Sequence, residues 1–133
     1  MLGSDRRYDY AIAIPARNEE ARILQCLEAC RESIQQAQAS AVIVVLVNNC
    51  DDATAQRARS CGETLGVPVV VEERRFAAGE AHAGNARRAA LDLARSFVRE
   101  DGHLLTTDAD TQPSASWVKN SLSLLAEHPS ALI

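Results

Sequence analysis

The chain has 133 residues, a length that suits one domain with its own core and leaves no room for a second. Its composition, 47% apolar and 24% charged, is typical of a globular protein and excludes disordered, collagen-like and membrane-embedded classes. The 14 basic and 18 acidic residues give a net charge of −4, which argues against nucleic acid as a partner held by bulk electrostatic attraction. We therefore predict a single domain over residues 1–133.

Neither a membrane segment nor a secretion signal is visible in the sequence. The longest apolar run, residues 41–47, is too short to cross a bilayer, and residues 1–7 lack the apolar core of a signal peptide. We therefore expect a cytoplasmic protein with no membrane span. The cysteines form no C-x-x-C pair, so we interpret them as reduced packing residues, with a metal site as the less favoured alternative.

Four apolar runs alternate along the chain with segments of helical periodicity. The runs are predicted strands and cover residues 10–14, 42–47, 67–71 and 103–107. The segments between and after them repeat apolar residues every three or four positions, as amphipathic helices do. The second and third runs are continuously apolar, which is typical of strands covered on both faces. The pattern predicts an α/β fold of the Rossmann-like kind, with a mostly parallel sheet and helices on both faces.

The last residues of the chain, 131–133, are apolar and resemble the start of another strand. We therefore expect the chain to be a truncated part of a longer protein, with a short terminal β-edge as the alternative. A truncated sheet would expose unpaired backbone groups, so a homo-oligomer formed through that edge is also expected.

Polar side chains follow three of the predicted strands, in residues 15–20, 48–52 and 108–110. Ligands of parallel α/β sheets bind beyond the carboxyl ends of the strands, so these three clusters are predicted to converge on one cleft.

The third cluster contains the pair Asp108 and Asp110. Side chains two residues apart in extended backbone leave on the same side, so the two carboxylates are predicted to bind one cation. Mg²⁺ or Mn²⁺ suits such a pair, because these ions complete their shells with water and phosphate oxygens. Asp-x-Asp alone is a weak motif, for which a solvated turn is the alternative, but its place directly after an apolar run strengthens it.

Several other polar residues carry two interpretations. Asn48 ends an apolar strand and could read a nucleobase or ribose, or belong to an Asx turn with its neighbours. Asp52 is predicted to be the N-cap of the second helix. Arg87 or Arg88 could reach a phosphate, or both could be solvated. His82 and His103 have no Ser or Cys partner in a triad arrangement, so nucleophilic catalysis is not supported.

Four segments of the chain, in order, resemble family 2 glycosyltransferases, the inverting GT-A enzymes that use nucleotide-diphosphate sugars. Residues 12–20 resemble the family's first strand and its Pro-x-x-Asn-Glu turn, and residues 45–54 its second-strand motif. Residues 79–88 resemble the glycine-containing segment before the third helix, and residues 107–113 the Asp-x-Asp signature. The resemblance covers about residues 8–125.

The resemblance implies a donor-binding domain for a UDP- or GDP-sugar, with Mg²⁺ or Mn²⁺ as the cofactor and an unidentified acceptor. It implies that Asp108 contacts ribose or metal and that Asp110 ligates the metal. The residues that it places at the nucleotide are Pro15, Ala16, Arg17, Asn18, Glu19, Asn48, Asn85 and Asp108.

The sequence departs from the family pattern in places. Asn48 stands where many members have Asp, and Gly84 where Arg or Leu is frequent. The family's catalytic base and acceptor-binding elements come after the part present here, so no catalytic residue is assigned. We expect this chain alone to bind donor without transferring sugar. If it proves active, Glu19, Glu72 and Glu73 are the first candidates for the base.

Other functions fit less well. A dehydrogenase would need Gly-x-Gly-x-x-Gly after the first strand, where this chain has Pro-Ala-Arg-Asn. A sugar-nucleotide pyrophosphorylase would need a glycine-rich basic loop there, which Arg17 alone does not supply. A non-catalytic nucleotide-binding or interaction module remains an alternative.

Overall fold

A computed structural model describes residues 8–77 and 83–127. Strands and helices alternate throughout these ranges, as the sequence pattern predicts. The elements are β1 (Tyr8–Ala16), α1 (Ile23–Gln35), β2 (Ala41–Asn48), α2 (Thr54–Thr64), β3 (Val69–Arg74), α3 (Ala83–Arg95), β4 (Val98–Thr106) and α4 (Trp117–Glu127).

The four strands form one sheet in the order β3-β2-β1-β4, and every pairing between neighbours is parallel. All eight residues of the central strand β2 are buried, which explains its continuous apolar sequence. The edge strands β3 and β4 extend beyond their predicted runs and carry exposed charged residues. An edge strand has one neighbour only, so polar residues can belong to it without being buried, and an apolar pattern does not reveal its full length.

The sheet is covered on both faces, which confirms the predicted α/β architecture. Helices α1, α2 and α4 pack on the face that carries Tyr10, Ile12 and Ile14 of β1. Helix α3 packs on the opposite face through Ala90 and Ala94, against small side chains such as Ala11 and Ala13. Because alanines line both sides of this contact, the backbone of α3 lies close to β1 and β2.

A tight contact at the other end of the sheet depends on Gly102. The register of β4 on β1 shifts between Tyr8 and Tyr10, where Gly102 lies against the backbone of Asp9. A Cβ atom at position 102 would come within 2.6 Å of the Asp9 carbonyl oxygen and would also clash with the Val98 side chain. Only glycine fits there without displacing the strand.

Within residues 8–77 and 83–127, no helix has the length and apolar character needed to cross a bilayer. The predicted strand at residues 131–133 lies outside the described residues, as does His82. The cytoplasmic location and the self-association through the chain's terminal edge stay predictions.

Candidate functional site

A cleft with a volume of about 520 Å³ lies at the carboxyl ends of β1, β2 and β4. The chain winds from β1 outward to β3 and then crosses to β4 on the other side of β1, so the strand order reverses between β1 and β4. Such reversal points leave a crevice in which ligands of α/β sheets bind. The lining residues are Pro15, Ala16, Arg17, Glu19, Asn48, Ala86, Arg87, Asp108, Ala109 and Asp110.

Most of the residues singled out from the sequence meet in this cleft. Six of the eight predicted nucleotide contacts line it, as do both predicted metal ligands. Asn18 and Asn85 do not belong to the lining, although both lie next to residues that do. Whether any of them contacts a nucleotide stays a prediction.

Asn18 joins the loop after β1 to the loop after β2. Its backbone has a left-handed φ of 54°, and its Oδ1 accepts the N–H of Asp51 at 2.9 Å. The N–H of Asn18 points at the Cys50 Sγ, 3.1 Å away. The Asn18 side chain, which is a predicted nucleotide contact, therefore has a role in shaping the two loops. We call residues 16–20 and 49–54 the paired loops.

A second set of hydrogen bonds closes the paired loops. The N–H of Glu19 donates to the buried Thr54 hydroxyl at 2.9 Å, and the N–H of Ala53 donates to Glu20 Oε1 at 3.1 Å. Asp52 accepts the N–H of Glu20 at 3.3 Å, as well as the Thr54 N–H at 3.0 Å and the Thr54 hydroxyl at 2.5 Å. Pro15 to Glu19 are therefore held on a fixed backbone.

The pKa of Asp52 reflects these bonds. Partial burial raises it, but the hydrogen bonds from Thr54 and Glu20 outweigh burial and hold the pKa below its ordinary value. The predicted N-cap role is wrong in position, because α2 begins at Thr54 and the residue before it is Ala53. Asp52 lies one residue before the N-cap position, where it forms an Asx turn with Thr54. It also accepts a hydrogen bond from Glu20 in the neighbouring loop.

Two adjacent asparagines at the end of β2 have separate roles. Asn48 is 4% exposed and lines the floor of the cleft. Asn49 has a left-handed φ of 49°, and its amide pairs with the backbone of Phe76 through bonds of 3.1 and 3.0 Å. Asn49 therefore joins the end of β2 to the segment after β3, and Asn48 is the asparagine that lines the cleft.

Asp108 begins a turn, so the segment from Asp108 to Asp110 is not the continuous extended backbone that was predicted. The N–H of Thr111 donates to the Asp108 carbonyl at 3.0 Å, so residues 108–111 form a turn that we call the Asp108 turn. Ala109 is 3% exposed and packs in the core, while Asp108 and Asp110 on either side are exposed. Both carboxylates reach the same cleft because the buried Ala109 anchors the turn between them.

Arg87, and not Arg88, reaches the cleft. Its Nη1 donates to the Thr106 hydroxyl at 2.7 Å, and its Nη2 forms an ion pair with Asp108 Oδ1. The buried positions of α3 are Ala86, Ala90 and Ala94, one turn apart. Arg87 lies beside that stripe and turns toward the sheet edge, whereas Arg88 is exposed on the outer side.

The carboxylate pair fits a metal that arrives with a phosphate ligand. Among the described residues no three His, Cys, Asp or Glu side chains are grouped so that they could hold a metal ion by themselves. Mg²⁺ needs only one or two carboxylates when water and phosphate supply the rest. The charged lining residues are three acids and two arginines, a formal balance of 2 − 3 = −1.

The cysteines near the cleft have packing roles. All four are free thiols, and Cys26 and Cys30 are buried in α1. The Cys26 Sγ lies 3.5 Å from the Asp108 carbonyl oxygen, and the Cys50 Sγ lies 3.7 Å from that of Ala16. The hydrogen bond with Cys26, together with burial, raises the pKa of Cys30, so this thiol stays protonated and unreactive.

The chain matches the sequence profile of glycosyl transferase family 2 over residues 11–133. Comparison with curated proteins gives no significant match. Among solved structures, S. aureus TarS 1-349 in complex with UDP aligns with a TM-score of 0.68 at 18% identity, covering 91% of this chain and 33% of that one. A structure of S. aureus TarS has the same TM-score and identity, but only 20% of it is covered. A second structure of S. aureus TarS 1-349 aligns with a TM-score of 0.64 at 19% identity, covering 91% of this chain and 33% of that one. This chain therefore spans about a third or less of these proteins.

Proposed function

The chain belongs to glycosyltransferase family 2, with a GT-A fold, and we propose that its cleft binds the nucleotide part of a nucleotide-diphosphate sugar together with Mg²⁺ or Mn²⁺. The observation that carries the proposal is the convergence of the paired loops, Asn48 and the Asp108 turn on one crevice at the point where the strand order reverses. Residues 1–133 then constitute a donor-binding domain.

The two sides of the cleft suit the two ends of a nucleoside diphosphate. On one side the buried Asn48 amide, beside Pro15 and Arg17, offers both a donor and acceptors to a base or ribose. On the other side Asp108 and Asp110 suit the metal that a diphosphate carries. Asn18, Glu19 and Asn85 then support this site from within or beside the cleft.

The charge of the cleft supports the proposal that a metal binds together with the nucleotide. The lining has a formal balance of −1, and a diphosphate brings further negative charge to the same space. Two anionic groups at close range repel, and a divalent cation between them reverses the sign of the interaction. When bound, the metal would also stabilise the departing diphosphate as a Lewis acid. Asp110 and Asp108 would hold it, and Asn48 would orient the nucleoside.

Sugar transfer needs a further group, a base, to which no residue within 8–77 or 83–127 is assigned. Inversion requires a base within hydrogen-bond reach of the acceptor hydroxyl, on the face opposite the leaving diphosphate. Of the three fallback candidates only Glu19 lines the cleft, since Glu72 and Glu73 lie on β3 and pair with Arg74 and Arg59. We propose that the chain binds donor but does not transfer sugar by itself.

A thermal-shift panel tests the proposal. UDP and GDP are each added to the chain with Mn²⁺, with Mg²⁺ or with EDTA. We expect one of the nucleotides to raise the melting temperature with metal and to have little effect with EDTA, because binding to the folded state stabilises it. UDP is the first nucleotide to test, because it is bound in a protein of the same fold. No metal-dependent shift with either nucleotide would overturn the proposal.

A mass-spectrometric transfer assay separates the donor domain from an active enzyme. General-base assistance is typically worth about 10²- to 10⁴-fold, so turnover by this chain should be near background. Robust transfer would contradict the inactive-domain proposal and make Glu19→Gln the next variant. Formation of UDP-sugar from UTP and a sugar phosphate would instead indicate a pyrophosphorylase.

A further inference from the structure

Arg87 pairs with Asp108, one of the two carboxylates that the proposed function assigns to the metal. Its guanidinium forms an ion pair with Asp108 Oδ1 and donates to the Thr106 hydroxyl at 2.7 Å. Thr106 in turn donates its hydroxyl proton to the Ala13 carbonyl at 2.8 Å, which fixes the oxygen that Arg87 uses. The guanidinium thus lies over β1 and β4, at the crevice where the diphosphate is proposed to bind.

We propose that Arg87 is a resident counter-ion that holds Asp108 in the empty cleft and moves to the diphosphate when the metal takes Asp108. The inference rests on the proposed function. A guanidinium beside Asp108 repels an incoming divalent cation, so metal alone must displace Arg87. A diphosphate supplies oxygens that a guanidinium binds in bidentate fashion, so the displaced arginine gains a new partner.

This exchange makes metal and nucleotide bind cooperatively. The metal releases Arg87 for the diphosphate, and the diphosphate keeps Arg87 away from Asp108, so each ligand lowers the free-energy cost of binding the other. Such coupling between two ligands is reciprocal. The side chains of Arg87 and Asp108 are 34% and 59% exposed, so solvent screens their ion pair and the exchange needs little energy. The Thr106 hydroxyl keeps Arg87 close to the cleft after Asp108 is released.

The test compares Arg87→Gln with Arg88→Gln, since Arg88 is exposed on the adjacent position of the same helix and does not line the cleft. Mn²⁺ alone is titrated by electron paramagnetic resonance, and UDP and GDP with saturating Mn²⁺ by calorimetry. For Arg87→Gln we expect Mn²⁺ alone to bind about twofold to fivefold tighter, because the competing exposed ion pair is gone. The nucleotide should bind about tenfold weaker, because a charge-assisted bond to phosphate is lost.

The opposite signs of these two effects identify the exchange. Arg88→Gln should change neither affinity, and Arg87→Lys, which keeps the charge but not the planar fork, should lose less nucleotide affinity than Arg87→Gln. Equal or weaker binding of Mn²⁺ alone by Arg87→Gln would overturn the counter-ion role, and unchanged nucleotide affinity would overturn the diphosphate role. Melting temperatures establish that each variant is folded, and Arg87→Met, which also removes the charge, replaces Arg87→Gln if the latter is not.

The same titrations separate failure of this inference from failure of the proposed function. If the unmodified chain binds neither UDP nor GDP with Mn²⁺, the proposed function is wrong and the diphosphate role of Arg87 falls with it. The Mn²⁺-alone comparison between Arg87→Gln and Arg88→Gln still decides whether Arg87 competes for Asp108.

Discussion

The paired loops on one side of the cleft and the Asp108 turn on the other differ in how they are held. The paired loops are joined by hydrogen bonds that run in both directions between them, one of them to the buried Thr54 hydroxyl. The Asp108 turn is held by the buried Ala109, by one weak contact from Cys26 and by the solvent-exposed ion pair between Asp108 and Arg87, and its two carboxylates are exposed. A fixed backbone suits recognition of a rigid nucleoside, whereas exposed carboxylates can adapt to a metal and a diphosphate.

The largest expected effect comes from a substitution in the Asp108 turn. Asp110→Asn should abolish the metal-dependent part of nucleotide stabilisation, which at a nucleotide concentration 100-fold above Kd is about 2.7 kcal/mol. The free chain should keep its stability, because an exposed carboxylate contributes little to packing. Thermal shifts with UDP and Mn²⁺ measure both quantities. Asp101→Asn, an exposed acid on β4 far along the strand, is the matched control. A variant that unfolds yet keeps metal-dependent binding would show that Asp110 is only a turn residue.

The next effect tests whether the Asp108 turn depends on the helix that follows it. The N–H of Val118 in α4 donates to the buried Ser33 hydroxyl of α1 at 2.9 Å. Ser33→Ala leaves that donor without its partner, so the free energy of unfolding should fall by about 1–3 kcal/mol. Metal-dependent nucleotide binding should survive, because Ala109 anchors the turn independently. Urea unfolding measures the change in the free energy of unfolding, and the thermal-shift panel measures metal-dependent nucleotide binding. Loss of binding in a folded variant would show that α4 positions the Asp108 turn.

The smallest effect probes the paired loops through pH. Asp52→Asn removes a carboxylate that accepts three hydrogen bonds, and should cost about 1 kcal/mol at pH 7. Because the folded-state pKa of Asp52 is lowered from 3.8, its contribution is present above that value and is lost as pH falls through the lower folded-state pKa. The free energy of unfolding in urea should therefore differ between Asp52→Asn and the unmodified chain at pH 7, and this difference should be smaller at pH 3.

Asp51→Asn is the control for this experiment, since Asp51 lies in the same loop and is 79% exposed. Its substitution should leave the free energy of unfolding within about 0.5 kcal/mol at either pH. A constant difference between Asp52→Asn and the unmodified chain from pH 7 to pH 3 would contradict the assignment of the stabilisation to the Asp52 carboxylate.

The residue patterns of the chain were sufficient to predict the alternating strands and helices, the parallel sheet and the polar clusters at the strand ends. These properties are local, because burial on both faces makes β2 continuously apolar and amphipathic periodicity identifies each helix. The lengths of β3 and β4 were underestimated because their exposed ends carry charged residues. The continuous extended backbone assumed from Asp108 to Asp110 was wrong, because residues 108–111 form a turn in which Ala109 is buried.

Only the tertiary structure decided which member of each polar cluster faces the cleft. Asn48 and Asn49 are the same residue type, and the choice between them follows from Phe76, whose backbone pairs with Asn49 across 27 positions. Arg87 engages Asp108 across 21 positions of sequence. Hydrogen bonds over such separations leave no periodic trace in the sequence, because each depends on how strands and helices from distant parts of the chain come together in space.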